Sequence, residues 1–232
     1  MFNMVLFVVF PYVAVIVAIV FGISRYRNNR FSYSSLSSQF LENRTLFWGS
    51  VPWHYGIIIL LTAHLLPLLF PSLWSDLLAD RIRLYILEVA GLALALMTVL
   101  GMLLLVVRRL RSQRVLAVTT PADWLLLVTL LTQVAIGFWI ALFYRWGSGW
   151  YLHTSVPWLL SLLVFQPQIQ YVTALPWLVQ FHLLTGFFII LLFPFTRLVH
   201  IVTYPLTYLW RPIQVVIWNR RPPPEVRDQG LR

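Results

Sequence analysis

The sequence predicts an all-α integral membrane protein of five transmembrane helices, with its N-terminus outside and its C-terminus inside. Three observations lead there. Of 232 residues, 60% are hydrophobic and only 10% charged, where soluble domains carry about 25% charged residues; the mean hydropathy is +0.81. Five stretches reach the roughly 20 apolar residues that a helix needs to cross a bilayer core. Arginines alternate between rich and poor connections.

The first span lies near residues 4–23, "MVLFVVFPYVAVIVAIVFGI". It has no basic residue ahead of it and no A-x-A-like cleavage site, so it reads as a retained helix rather than a signal peptide. The second covers about 47–70 and the third, "LYILEVAGLALALMTVLGMLLLVV", 84–107. The fourth lies near 123–144, and the fifth begins near 176 and reaches at least His200. Between the last two, "SVPWLLSLLVFQ" is too short to span and reads as an interfacial segment.

All seventeen basic residues are arginine, and the successive connections with the C-terminal segment hold 4, 2, 4, 1 and 6 of them. Fourteen therefore fall on one side, which the positive-inside rule assigns to the cytoplasm. This loop distribution, rather than nucleic-acid binding, accounts for the net charge of +10. Residues 1–210 form the membrane domain, and 211–232 a polar, Pro-rich cytoplasmic tail.

The absence of cysteine excludes disulfides, iron–sulfur clusters, thiolate haem ligands and c-type haem attachment on this chain. Seven scattered acidic residues argue against a carboxylate metal cage. The histidines are more informative. His153 falls in the far-side connection near "WGSGW" and reads as a loop residue. The other four are confined to two spans: His54 and His64 on span two, His182 and His200 on span five. Intramembrane ionisable residues are functional candidates by default, and neutral imidazole is a common axial ligand of haem iron. Two histidines on each of two helices suit two bis-histidine b haems. Spans two and five run antiparallel, so His54 pairs with His200 near the inner face and His64 with His182 near the outer face. A non-haem transporter or anchor using buried histidines for protons or packing is the competing class.

On straight α-helices the spacings are uneven. Eighteen residues put His182 and His200 on one face, separated by about 27 Å, whereas ten residues separate His54 and His64 by about 15 Å and about 80°. Pro194, between the ligands, can kink span five. Gly186, one turn beyond His182, and Gly56, two residues after His54, offer room for a porphyrin. Ser50 and Thr196 are candidate acceptors for ligand N–H groups, and Arg197 is a candidate partner for haem propionates.

These residues resemble the γ subunit of respiratory nitrate reductase, a membrane cytochrome b. The likeness is carried by "FPYV" near the start, "SRY" at 24–26, "SSQFLENR" at 37–44, the ten-residue step from His54 to His64, "TTPAD" at 119–123, the eighteen-residue step from His182 to His200, and "LLFPFTRLVHIVTYPLTYL" at 191–209. The resemblance implies two haem b groups held by those four histidines, and a multi-pass place in a bacterial or archaeal cell membrane. It implies oxidation of menaquinol or ubiquinol near the outer haem, with electrons delivered inward to an iron–sulfur β subunit and a molybdenum-bearing α subunit that reduces nitrate. The chain itself would carry no nitrate chemistry. The family's quinol-site lysine has no counterpart here; Arg81 and Arg83 occupy that region beside His64. A dihaem anchor of a related complex, acting on nitrite, a heterodisulfide or a sulfur compound, is the alternative within the same class.

Overall fold

The computed structural model describes residues 1–29, 32–33, 41–42 and 44–203. The tail at 211–232, the 210 boundary and most of "SSQFLENR" lie outside the described residues. Five helices are long and apolar enough to cross a membrane: Phe2–Asn28, Arg44–Leu69, Arg81–Arg111, Pro121–Phe143 and Trp177–Phe195, here spans one to five. Only 17–28% of their most apolar stretches is buried within the protein, so most of each span is left to face lipid or a cofactor.

Prolines shape the first span. Pro11 has no N–H to give to the carbonyl of Phe7, four residues back. The helix opens into a π turn over Val5–Val9, and the Trp158 indole N–H donates to the Phe7 carbonyl at 3.1 Å. Trp158 is fully buried on the short helix Ser155–Leu163, the segment expected to be interfacial. Tyr12 of span one reaches the same helix, donating to the Leu162 carbonyl at 2.8 Å. A core of Phe7, Trp158, Leu162 and Val172 forms there, with Leu183 and Phe187 of span five against it.

Spans two, three and four share a second core around Trp53, Met102, Leu127 and Val134. Glycines set the closeness of spans two and three. A Cβ at Gly101 would lie 2.7 Å from the Trp53 backbone nitrogen, and one at Gly56 would collide with Thr98 Oγ1. Packing runs from span two to three, three to four, four to five and five to one. Spans two and five share almost no direct packing among the described residues. The short helix Ser155–Leu163 packs against span two and, through Trp158, against Phe187 of span five.

The basic end is tied by charged groups. Glu42 accepts from the Thr45 and Leu46 N–H groups that begin span two, at 2.7 and 3.2 Å, and pairs with Arg108 of span three at 2.7 Å. Asp123 closes a capping box with Thr120 at the start of span four and pairs with Arg197 at 2.8 Å. Arg25 of span one donates to the carbonyls of Pro194 and Thr196, at 2.6 and 3.3 Å.

Those carbonyls mark a departure from expectation. Span five is not one helix to His200. The α-helix stops at Leu192. A 3-10 turn follows over Phe193–Phe195, then extended backbone at Thr196 (φ −121°, ψ −176°), a second turn over Arg197–Val199 and a short helix His200–Thr203. Pro194 lacks the N–H that would bond the Ile190 carbonyl, and the Phe193 N–H closes on Ile190 instead. The straight-helix geometry assumed for His182 and His200 therefore does not hold: the two residues sit on separate rigid pieces.

Candidate functional site

His54 of span two and His200 of the short helix His200–Thr203 lie together, their ring centroids 6.2 Å apart and their planes at 72°. A metal–imidazole bond is about 2 Å, as measured for zinc, and a ring centre lies about 1 Å beyond its nitrogen. Two axial imidazoles on one iron would then stand about 6 Å apart. The observed spacing fits one metal atom between them.

Hydrogen bonds prepare the rings for that role. His54 Nδ1 lies 2.7 Å from the Ser50 carbonyl and 3.1 Å from the Ser50 hydroxyl. His64 Nδ1 lies 2.7 Å from the Leu60 carbonyl, and His200 Nδ1 lies 2.6 Å from the Arg197 carbonyl. A carbonyl only accepts, so each Nδ1 carries a proton, which in a neutral imidazole leaves the lone pair on Nε2. That is the tautomer of a metal-bound histidine whose second nitrogen is anchored. Ser50 has its expected place. Thr196 does not: it accepts from the Leu198 N–H and caps the turn before His200.

At the far end, His64 lies on span two and His182 on span five. Tyr151, on the short helix Gly147–His153, packs its ring 5.5 Å from that of His64 and donates to the His64 carbonyl at 3.1 Å. Burial pushes the Tyr151 phenol up to about 12, so it remains a donor at any physiological pH. Glu88 of span three fixes this helix by accepting from the N–H groups of Gly147 and Ser148, at 3.2 and 2.8 Å. His153, on the same helix, is exposed.

His182 differs from the other three. One ring nitrogen, Nε2, lies 3.4 Å from the Gln133 amide of span four, and the buried Nδ1 has no hydrogen-bond partner. The ring lies against Gly137, where a Cβ would come within 3.0 Å of it. Gln133 is also bonded to the Thr185 hydroxyl. Neither Gln133 nor Gly137 stood out in the sequence. A glutamine within the apolar run "LLLVTLLTQVAIGFW" was the available signal, since buried amides need partners.

Other expected site residues are placed differently. Gly56 fits against Thr98 of span three, so its missing side chain serves helix packing. The Cβ of an alanine at Gly186 would meet Gln133 at 3.6 Å, an ordinary contact facing span four. Arg197 is engaged by Asp123 through two nitrogens, at 2.8 and 3.0 Å. Through its own carbonyl it also orients His200. Arg81 and Arg83 are exposed at the start of span three, where Asp80 caps the helix and Arg83 donates to the Asp76 carbonyl at 3.1 Å. Among the described residues no three His, Asp or Glu side chains gather as a metal cage; an iron already held by a porphyrin needs only the facing pair.

The profile of the family described as "Nitrate reductase gamma subunit" matches residues 3–219. The chain belongs to this family. It is similar to the nitrate reductase gamma chain of Bacillus subtilis, 29% identical over 224 residues that cover 95% of this chain and 100% of the relative. The respiratory nitrate reductase 1 gamma chain of Escherichia coli is 32% identical over 217 residues, 92% of this chain and 96% of the relative. A nitrate reductase-like protein, NarX, of Mycobacterium tuberculosis is 31% identical over 212 residues, 88% of this chain but 32% of that longer protein. Membership of the gamma-subunit family makes the chain a subunit of an oxidoreductase complex.

Proposed function

We propose that the chain is the dihaem cytochrome b subunit of a respiratory nitrate reductase. It oxidises quinol near the outer face and sends electrons inward to an iron–sulfur subunit and a molybdenum subunit. The observation that carries this reading is the approach of His54 and His200 to 6.2 Å between ring centroids, with each Nδ1 held by a carbonyl.

His54 and His200 would hold the inner haem, and His64 and His182 the outer one. Haem iron, when bound, supplies one-electron chemistry at a potential set by its axial ligands, burial and hydrogen bonds. The protein's own part is to hold four imidazoles in the right tautomer, exclude water with an apolar wall, and keep the two ligand pairs at opposite ends. Tyr151, through the His64 carbonyl, and Glu88, through the Gly147 helix, fix the outer ligand beside the region of Arg81 and Arg83, where quinol would bind. Protons released there leave on the outer side while electrons move inward, so turnover builds a membrane potential. The arginine bias supports an N-out, C-in orientation.

Histidine replacement in the assembled complex tests the pairing. His64→Ala and His182→Ala are expected to remove the same b-type signal, and His54→Ala and His200→Ala the other. Matching spectra for His64→Ala and His200→Ala would show that the pairing is wrong, and the absence of b-type signals from the unmodified complex would end the haem reading.

A further inference from the structure

We infer that Arg25, at the inner end of span one, is a positioning residue for His200 and sets the angle at which that imidazole meets the one of His54. The inference rests on the haem reading above, and on its inner ligand pair alone. His200 is not held by the helix that precedes it. The α-helix of span five ends at Leu192, and the carbonyls beyond that end must find donors elsewhere. Thr196 supplies two of them: its hydroxyl donates to the Leu192 carbonyl at 3.0 Å and its N–H to the Phe193 carbonyl at 3.4 Å. The Pro194 and Thr196 carbonyls take a donor from another span, Nη1 of Arg25, at 2.6 and 3.3 Å.

From there the chain to the imidazole is short. The Thr196 carbonyl belongs to the peptide unit that leads into Arg197, and a peptide unit is a rigid plane. Holding that carbonyl fixes where the turn Arg197–Val199 starts. The Arg197 carbonyl, within the same turn, lies 2.6 Å from His200 Nδ1. Three residues thus separate the atom that Arg25 grips from the ring that it aims, and the carbonyl between them is the one that orients the ring.

The guanidinium is itself held in place. Its Nε donates to the Ser32 hydroxyl at 3.1 Å and its Nη2 to the Ser32 carbonyl at 2.5 Å. The Tyr33 ring centre lies 5.8 Å from Cζ, within reach of a cation–π contact. The Ser32 hydroxyl donates in turn to the Asn29 carbonyl at 2.8 Å. The fork therefore spans from the segment after span one to the break in span five. The placement of His200 follows span one through this contact, and the piece of span five that carries His182 does not set it.

The test is low-temperature EPR with potentiometric titration of the assembled complex in membranes. The low-spin signal of a bis-histidine haem depends on the angle between its two imidazole planes, here 72°, so it reads positioning directly. Arg25→Lys keeps the charge but not the fork; it is expected to shift and broaden the signal of the proposed inner haem and to move its midpoint, with the outer haem unchanged. Ser32→Ala, which frees one edge of the guanidinium, should shift the same signal by less. Arg27→Lys makes the same exchange at an exposed residue nearby and should move neither haem. If Arg25→Lys does not assemble, Ser32→Ala decides alone. An inner signal and midpoint left unchanged by the deciding variant overturn the assignment, even where the melting temperature falls, as do an equal shift in Arg27→Lys or equal shifts of both haems. Two normal haems with no response to Arg25 sink this inference and leave the proposed function standing; no b-type haem in the unmodified complex sinks both.

Discussion

Replacing Gly101 by alanine links packing to the ligand pair in a measurable way. A Cβ at Gly101 would lie 2.7 Å from the Trp53 nitrogen, 2.9 Å from the Gly49 carbonyl oxygen and 3.1 Å from the Trp53 Cα, where ordinary contact begins at 3.4 Å. All three are backbone atoms, so no rotamer change relieves them, and span two must shift by about 0.7 Å beside Trp53. His54 is the next residue. Metal–ligand distances are held to about ±0.2 Å, so the 6.2 Å gap to His200 cannot take up that shift without loss. Overpacking of this kind costs about 1–3 kcal/mol, offset by about 1 kcal/mol of better helix propensity. The internal control is Gly91→Ala on the same span, where a Cβ meets nothing within 4 Å and only the propensity gain applies. Thermal melting of the purified complex and the EPR signals of the two proposed haems are the assays. Gly101→Ala should lower the melting temperature and perturb the inner haem, and Gly91→Ala should do neither. Equal behaviour of the two variants, or a disturbance confined to the outer haem, would refute the reasoning.

Two further outcomes are expected. Asp123→Asn should destabilise the basic end by about 3 kcal/mol, the low end for breaking a buried pair because Arg197 retains some exposure; it should also shift the EPR signal of the proposed inner haem through the Arg197 carbonyl, whereas Arg197→Lys, which keeps a cation beside Asp123, should produce smaller losses of both, as read by melting and EPR. Glu42 should make stability pH-dependent. The Thr45 N–H, against a desolvation penalty and with help from Arg108 and the Leu46 N–H, holds its carboxyl below the usual range, so the stabilisation is complete above the unfolded carboxylate's pKa and is lost as pH falls through the lowered one. Melting curves across the acid range should show a step that Glu42→Gln abolishes.

The spans and the facing of His54 with His200 were legible in the sequence because they rest on long-range regularities: apolar length and histidines restricted to two segments. Local geometry was less so. "LLFPFTRLVH" contains the proline, but nothing in the string says that the helix stops altogether rather than bending, because the Arg25 contacts that satisfy the opened carbonyls come from a residue far away in sequence. Gly186, and less well placed Gly56, were both read as room for a porphyrin; which neighbour fills the space depends on helix rotation, and for Gly56 it is Thr98. Arg197 was read as a candidate partner for haem propionates; its contact with the buried Asp123 of "TTPAD" joins residues far apart in sequence and was not foreseen. Gln133 was missed because its importance comes from a contact between spans four and five that no spacing encodes.

The arrangement around Arg25 bears on the chain's use of arginine alone. One guanidinium donates to the Pro194 and Thr196 carbonyls from Nη1 and to the Ser32 hydroxyl from Nε. A lysine would carry the same topogenic charge but could not spread its donors over that width. The residues that orient the chain in the bilayer therefore also mend its broken fifth helix, and exchanging them for the other basic residue would keep the topology while loosening the segment that presents His200.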